Sequence, residues 1–197
     1  MRVIAGIAKG RPLKAVPGIN TRPTTDKVKE AIFSMIGPFF DGGTALDLFA
    51  GTGGLGIEAL SRGMAHALFI DRDRQSVEIV RRNVEAAGMN GKAEVYRNEA
   101  ERALKLLQKR ELVFRLIFLD PPYKMTNADE LMAELAERGL LEQEARIVVE
   151  HDSTHRYPQT IGDFIELRHS QYGETAVTVY AYRPDYSLTG GTLHASP

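Results

Sequence analysis

Residues 46–56 read Leu46-Asp47-Leu48-Phe49-Ala50-Gly51-Thr52-Gly53-Gly54-Leu55-Gly56. The apolar start is typical of a buried strand, and the glycines at 51, 53 and 56 have the spacing G-x-G-x-x-G at the start of a helix. Such glycines allow a tight turn and let the backbone approach a ligand above the helix N-terminus. The stretch therefore predicts a strand, a turn and a helix that together bind a nucleotide or a nucleoside.

Apolar runs alternate with helical patterns on the C-terminal side of this stretch. Buried strands are expected at 45–49, 67–70, 93–96, 113–119 and 146–150, and the helices between them at 55–62, around Val77, Val80 and Val84, at 99–109 and at about 128–138. Two later strands, 163–169 and 175–182, have no helix between them and are expected to pair antiparallel. The pattern predicts an α/β fold with a mostly parallel seven-stranded sheet, an antiparallel edge and helices on both faces.

Two acids narrow the choice of ligand. Asp71 ends the second predicted strand, where a carboxylate accepts hydrogen bonds from both hydroxyls of a ribose. Asp47 lies just before the glycines, where it would repel a pyrophosphate and attract a sulfonium or an ammonium group. Asp47 favours S-adenosylmethionine over a dinucleotide, whereas Asp71 suits the ribose of either, and both ligands stay open at this point.

A second motif, Asp120-Pro121-Pro122-Tyr123, follows the fourth predicted strand. Ligands bind at this edge of an open α/β sheet. The two prolines stiffen the turn and remove two backbone donors, so the Pro121 carbonyl and the Asp120 carboxylate form a fixed pair of acceptors. Such a pair fits the exocyclic amine of a nucleobase, on which Tyr123 would stack. The motif predicts methyl transfer to a base amine.

Composition and charge bound the remaining possibilities. The chain has 197 residues, a formal net charge of −1 and no cysteine, which excludes disulfides, thiolate metal sites and cysteine nucleophiles. No apolar run reaches the roughly 18 residues of a transmembrane helix, and a cytoplasmic location is expected. Residues 1–29 carry seven basic side chains against one acid, a charge of +6, while the other 168 residues carry 18 basic and 25 acidic side chains, a charge of −7. A basic segment on an acidic body is consistent with an arm that binds a polyanion and equally with a solvated edge, and the charge alone leaves both interpretations open.

The first forty residues have a pattern of their own. Residues 2–8 and 12–16 predict a β-hairpin that turns at Lys9-Gly10-Arg11, and residues 28–36 predict a helix after capping residues at 21–25. We therefore expect an N-terminal basic hairpin and helix at 1–40, appended to a core domain at 41–184. Residues 185–197 are rich in small and polar side chains and predict a disordered tail.

Several stretches carry a resemblance to a known family. Asp-Leu-Phe-Ala-Gly-Thr-Gly at 47–53, followed by Asp-Pro-Pro-Tyr at 120–123, resembles the S-adenosylmethionine-dependent amino-methyltransferases that act on bases in DNA and RNA. Residues 2–6, 9–11, 22–33 and 171–175 are similar to the bacterial small-subunit ribosomal RNA guanine-N2 methyltransferases of the RsmD type. The resemblance covers the chain to about residue 186.

This resemblance implies a Rossmann-like class I methyltransferase fold and S-adenosylmethionine as the cofactor. It implies the N2 amine of a guanine in 16S ribosomal RNA, guanine 966, as the target. The partner would be ribosomal RNA within the small ribosomal subunit or an assembly intermediate.

The resemblance also implies roles for individual residues. The catalytic residues would be Asp120, Pro121, Pro122 and Tyr123. The cofactor would be bound by Asp47, Phe49, Gly51, Gly53, Gly56, Asp71, Arg72, Asn98, Glu99 and Ala100. The RNA would be bound by Arg2, Lys9, Arg11, Arg22, Thr24 and Asp26. Asn98 is equally consistent with a helix N-cap, and Arg22 with a structural ion pair.

Other functions stay open on the sequence alone. A DNA adenine-N6 methyltransferase would share the Asp-Pro-Pro-Tyr motif, and a nicotinamide-dependent oxidoreductase would use the glycines but leave that motif unexplained. A non-catalytic RNA-binding module is the third alternative. No metal and no membrane partner is expected. His151 and His155 are interpreted as solvated loop residues, because methyl transfer from a sulfonium needs no metal.

Overall fold

The computed structural model describes residues 1–17, 25–121 and 126–184. Within these ranges the helices are α1 (Asp26–Ile36), α2 (Gly54–Ser61), α3 (Arg74–Ala86), α4 (Ala100–Lys109) and α5 (Ala128–Glu137). The strands are β1 (Thr44–Asp47), β2 (His66–Asp71), β3 (Ala93–Arg97), β4 (Phe114–Leu119), β5 (Leu141–Asp152), β6 (Thr160–Ile161), β7 (Phe164–Tyr172) and β8 (Thr175–Tyr182). None of the described helices has the length and apolarity that a membrane crossing requires. The tail predicted at 185–197 lies outside the described residues.

All of these strands form one sheet in the order β3-β2-β1-β4-β5-β8-β7-β6. Strands β1 to β5 pair parallel, while β8 runs antiparallel between β5 and β7. The α/β fold with a mostly parallel sheet and an antiparallel edge is therefore confirmed. Because the strand order reverses between β1 and β4, a ligand site is expected outside the carboxyl ends of these two strands.

Residues 1–17, 25–121 and 126–184 contribute eight strands to the sheet rather than the expected seven. The additional strand, β6, consists of Thr160–Ile161 and pairs with Phe164 and Ile165 of β7. Gly162 has a φ of 52° and lies in the turn between the two strands. Two residues are too few to show an apolar alternation, so the sequence pattern does not reveal this strand.

Strand β5 is longer than the expected 146–150. It runs over Leu141–Asp152 and pairs with two neighbours, β4 and β8. Its register against β4 shifts between Phe114 and Leu116. The exposed residues Gln143 and Glu144 interrupt the apolar pattern in its first half, so the sequence does not reveal that part of the strand.

The N-terminal segment, residues 1–17, is not the regular hairpin expected at 2–8 and 12–16. Its antiparallel pairing consists of one bridge between Arg2 and Pro12 and the backbone hydrogen bonds beside that bridge. The N–H groups of residues 4, 5 and 8 donate to side chains of α2 instead of to a partner strand. The regular ladder is lost because helix α2 supplies the hydrogen-bond partners.

Two hydrophobic cores lie on opposite faces of the sheet. Neighbouring residues of β4 belong to different cores, Ile117 to the one under α4 and α5 and Phe118 to the one under α1, α2 and α3. The N-terminal segment buries Val3 and Leu13 in the second core. The segment is therefore anchored to the sheet's helical layer by these two side chains.

Candidate active site

The three predicted acids meet at one edge of the sheet. Asp47 is the last residue of β1, Asp71 is the last residue of β2, and Asp120 directly follows β4. The register pairs Asp47 with Phe69 of β2 and with Phe118 of β4. Parallel pairing therefore brings together carboxylates that are far apart in the sequence.

The three glycines of the loop have different surroundings. Gly51 has a φ of 55°, and among the described residues a Cβ at this position would meet only the Phe49 carbonyl oxygen, at 4.0 Å. A Cβ on Gly56 would lie 2.3 Å from a ring carbon of Phe69, and one on Gly53 would lie 3.1 Å from Val80. With respect to the part of the chain that the structure describes, Gly51 leaves open space beside the loop, whereas Gly56 permits the close packing of α2 on β2.

Asp47 is a buried carboxylate at the start of helix α2. Asp47 is 2% exposed, and its Oδ2 accepts a hydrogen bond of 3.1 Å from the Gly56 N–H. Burial raises the pKa of Asp47 to about 7, against the effect of the Gly56 hydrogen bond and with a further upward contribution from the charge of Asp71. A buried carboxylate of this kind favours a cationic partner.

Asp71 connects the loop to β2. Its Oδ2 accepts from the Gly51 N–H at 2.8 Å, and its Oδ1 accepts from the Asp73 N–H at 2.8 Å. Burial raises the pKa of Asp71, and the two backbone hydrogen bonds oppose the rise. Each oxygen keeps a second lone pair with which it can accept from a hydroxyl.

The other predicted cofactor residues border the same edge. The Asn98 N–H donates to the Asp71 carbonyl at 3.0 Å, and the Asn98 Oδ1 accepts from the Glu99 N–H at 3.0 Å. Glu99 itself occupies the N-cap of α4, so the N-cap alternative for Asn98 is wrong. The remaining predicted positions are half-buried Phe49, exposed Arg72 and buried Ala100.

Asp120 has an acidic neighbour that the sequence pattern does not reveal. The register pairs Leu119 of β4 with Val149 of β5, so Asp120 comes next to Glu150, which is 6% exposed. Burial raises the pKa of Asp120 well above its usual range, with further contributions from the charges of Glu150 and Asp47. Glu150 ends an apolar run in the sequence, and only the pairing of β4 with β5 identifies its position. Pro121 is buried beside Asp120, while Pro122 and Tyr123 lie outside the described residues.

The predicted RNA residues are spread over the N-terminal segment and the start of α1. Arg2, Lys9 and Arg11 are exposed. The Arg2 Nε lies 3.4 Å from Asp26 Oδ2, which joins the segment to the first turn of α1. Two further predicted RNA residues, Arg22 and Thr24, lie outside the described residues.

Glu58 of α2 fixes the N-terminal segment in place. This carboxylate is fully buried and accepts from the Ile4 N–H at 2.8 Å and the Ala5 N–H at 2.9 Å. It also pairs with Arg62 Nε at 2.8 Å and with the buried Lys29 Nζ at 3.3 Å. Lys29 therefore belongs to the interior and adds nothing to the basic surface of the segment.

The interpretation of His151 as a solvated loop residue is wrong. His151 is part of β5, is 6% exposed, and its Nε2 lies 2.9 Å from Thr178 Oγ1. Burial lowers the pKa of His151, which favours the neutral ring. His155 is half-buried, and its ring contacts Tyr157 at a centroid distance of 4.3 Å. In the part of the chain that the structure describes, no three His, Asp or Glu side chains are grouped to hold a metal ion.

Comparison with known proteins assigns the family. The family model described as "Conserved hypothetical protein 95" matches residues 1–181. The chain is 55% identical over 183 residues to the "Putative rRNA methyltransferase YlbH" of Bacillus subtilis, covering 93% of this chain and 100% of that protein. It is 32% identical over 180 residues to the "Ribosomal RNA small subunit methyltransferase D" of Escherichia coli K12, covering 91% and 89%.

A solved structure gives the same result. The fold is similar to the "Putative methyltransferase yhhF from Escherichia coli", with a TM-score of 0.77, 32% identity, and coverage of 93% of this chain and 98% of that chain. Matches of this identity over nearly the whole length of the chain identify a single family. The chain belongs to the RsmD-type methyltransferase family, the one described as "Conserved hypothetical protein 95".

Proposed function

We propose that this protein is an S-adenosylmethionine-dependent methyltransferase that methylates the N2 amine of a guanine in 16S ribosomal RNA. By resemblance the target is guanine 966, within the small subunit or an assembly intermediate in the cytoplasm. The names of the relatives support ribosomal RNA as the substrate class. The observation that carries the proposal is the position of Asp120 and Pro121 directly after β4, beside the buried Asp47 at the end of β1.

The residues at this edge fit the cofactor. Asp47 would face the cationic methionine end, Asp71 the ribose hydroxyls, and Gly51 would leave room for the ligand beside the loop. The buried Asp47 disfavours the nicotinamide alternative, because the pyrophosphate of a dinucleotide would meet a carboxylate at the N-terminus of α2. S-adenosylmethionine would supply an electrophilic methyl group bound to sulfonium.

The chemistry expected of this chain is alignment and hydrogen bonding. The Asp120 carboxylate and the Pro121 carbonyl would accept from the guanine amine and hold its lone pair toward the methyl group. The amine becomes acidic once it is methylated, so its proton would pass to Asp120 or to water. Tyr123 would stack on the extruded base, and Pro122 would stiffen the turn.

A methyl-transfer assay with labelled cofactor tests the proposal. The substrates are small-subunit ribosomal RNA, assembled small subunits and duplex DNA, and the modified nucleotide is identified by mass mapping. We expect N2-methylguanine at one position in the ribosomal RNA. Label found in DNA as N6-methyladenine would overturn the proposal in favour of the DNA alternative.

A variant pair tests the role of Asp120. Asp120→Ala is expected to keep its affinity for the cofactor and to lose single-turnover methyl transfer by at least about 100-fold. Asp129→Ala, which removes a carboxylate from the first turn of α5, serves as the matched control and is expected to retain activity. Unchanged transfer in Asp120→Ala would refute the assigned role.

A further inference from the structure

Asn83 of α3 joins two segments that are far apart in the sequence. The residue is 1% exposed, and its Nδ2 donates to the Thr52 carbonyl at 2.8 Å and to the Lys14 carbonyl at 3.0 Å. Its Oδ1 accepts from the Lys14 N–H at 2.8 Å. One buried amide therefore binds the backbone of the glycine-rich loop and the backbone of the N-terminal segment.

Apolar packing alone does not explain why an amide stands at position 83. Val80 and Val84 lie on the same helix with exposures of 0% and 3% and supply the apolar contacts of α3. A buried amide is stable only when its donors and acceptor are paired, and Asn83 pairs them with backbone groups of the two segments. These bonds do not depend on the side chains at 14 and 52, so they fix the relative position of the two backbones.

The two segments also touch directly. The Met1 sulfur lies 3.8 Å from Thr52 Oγ1, and a Cβ on Gly54 would come within 3.1 Å of the same sulfur. On its other side the N-terminal segment is held by α2, where Ser61 Oγ donates to the Ala5 carbonyl at 2.6 Å. The N-terminal segment therefore contacts the glycine-rich loop on one side and α2 on the other.

We infer that Asn83 is a positioning residue that holds the cofactor loop and the RNA-binding segment in one frame, so that cofactor and RNA each strengthen the binding of the other. The inference rests on the proposed function, in which Gly51 approaches the cofactor and Arg2, Lys9 and Arg11 contact RNA. A ligand that restricts the remaining motion of one segment lowers the entropic cost of restricting the segment bonded to it. The effect must be reciprocal, because it is an equilibrium coupling between two ligands.

Binding measurements on the full chain test the inference. The dissociation constant for small-subunit ribosomal RNA is measured with and without saturating S-adenosylhomocysteine, which resembles the cofactor and cannot donate a methyl group. The reverse experiment measures S-adenosylhomocysteine with and without RNA. In the unaltered protein we expect each ligand to tighten the other by the same factor, about five-fold or more. A factor of one in the unaltered protein overturns the inference, whatever the variants do.

Two variants of α3 separate positioning from simple destabilisation. Asn83→Ala removes all three hydrogen bonds. It is expected to bring the factor by which each ligand tightens the other close to one, while kcat is largely retained when both substrates are saturating. Val84→Ala removes buried packing from the same helix and is expected to keep the factor of the unaltered protein. An Asn83→Ala protein that keeps the full factor, or a Val84→Ala protein that loses it equally, overturns the inference. Failure of the proposed function is distinct, since it would appear as absent methyl transfer to RNA in the unaltered protein.

Discussion

Replacing Asp47 by Asn should make the protein more stable and weaken its binding of S-adenosylmethionine. Asp47 is 2% exposed at the end of β1, and its carboxylate has the Gly56 N–H as a hydrogen-bond donor. Burial raises its pKa from 3.8 to about 7. The substitution keeps the shape and the acceptor oxygen but removes the charge, so it isolates the cost of ionising this group in the interior.

The pKa gives the sign and the size of the effect. The folded protein binds the Asp47 proton more tightly than the unfolded chain, so this contribution to stability is complete below about pH 4 and is lost as the pH rises through 7. A shift of about three pKa units corresponds to about 4 kcal/mol above pH 8. The Asn side chain does not titrate, and a weaker bond to Gly56 offsets about 1 kcal/mol. We expect Asp47→Asn to be more stable by about 3 kcal/mol at pH 8.

Urea unfolding of both proteins from pH 5 to pH 8 measures this difference. The stability gap between Asp47→Asn and the unaltered protein should widen by about 2–3 kcal/mol over that range. Asp41→Asn is the control, because Arg115 lowers the pKa of this exposed carboxyl and its stability gap should not widen in the same direction. A gap that stays constant with pH, or a variant less stable at pH 8, would refute the reasoning.

Cofactor binding by the same variant completes the prediction. In the proposed function the cationic end of S-adenosylmethionine faces the ionised carboxylate of Asp47, so the affinity of the unaltered protein for the cofactor should rise with pH up to about pH 7. Asp47→Asn should bind it about 10- to 100-fold more weakly, with no such pH dependence. Isothermal titration calorimetry at several pH values measures both effects. Equal affinities in the two proteins would contradict the role assigned to Asp47.

Three further predictions concern other parts of the site. Gly56→Ala should destabilise the fold by about 2–3 kcal/mol in thermal or urea unfolding, because the new Cβ would lie 2.3 Å from the Phe69 ring. Gly91→Ala should be neutral, because a Cβ there would meet no atom of the described residues within 4 Å. Glu150→Gln should lower the pKa of Asp120 and move the pH profile of single-turnover methyl transfer toward acid; an unmoved profile would argue against their coupling. RNA affinity should fall steeply with salt if the basic N-terminal segment contacts phosphates, and a filter-binding series that stays flat would exclude such contacts.

The helices and strands of the core can be predicted from the sequence, because each of them contains its whole apolar pattern. The run at 113–119 forms β4 at Phe114–Leu119, and the helical pattern at 28–36 is part of α1. The N-terminal segment is different, since its apparent strands take their partners from Glu58 and Ser61 of α2. A pairing with a helix more than fifty residues away leaves no mark in the local pattern.

The sequence by itself determined the α/β class and predicted the chemistry of the two motifs, because strand periodicity, glycine spacing and the stiffness of two prolines are local properties. Only the tertiary structure decided which side chains share the site. Glu150 lies beside Asp120 because β5 pairs with β4, and Asn83 binds both Lys14 and Thr52 because α3 packs against two distant segments. The same packing buries Asp47 and raises its pKa, since desolvation depends on every neighbour in space and not on the neighbours in the chain.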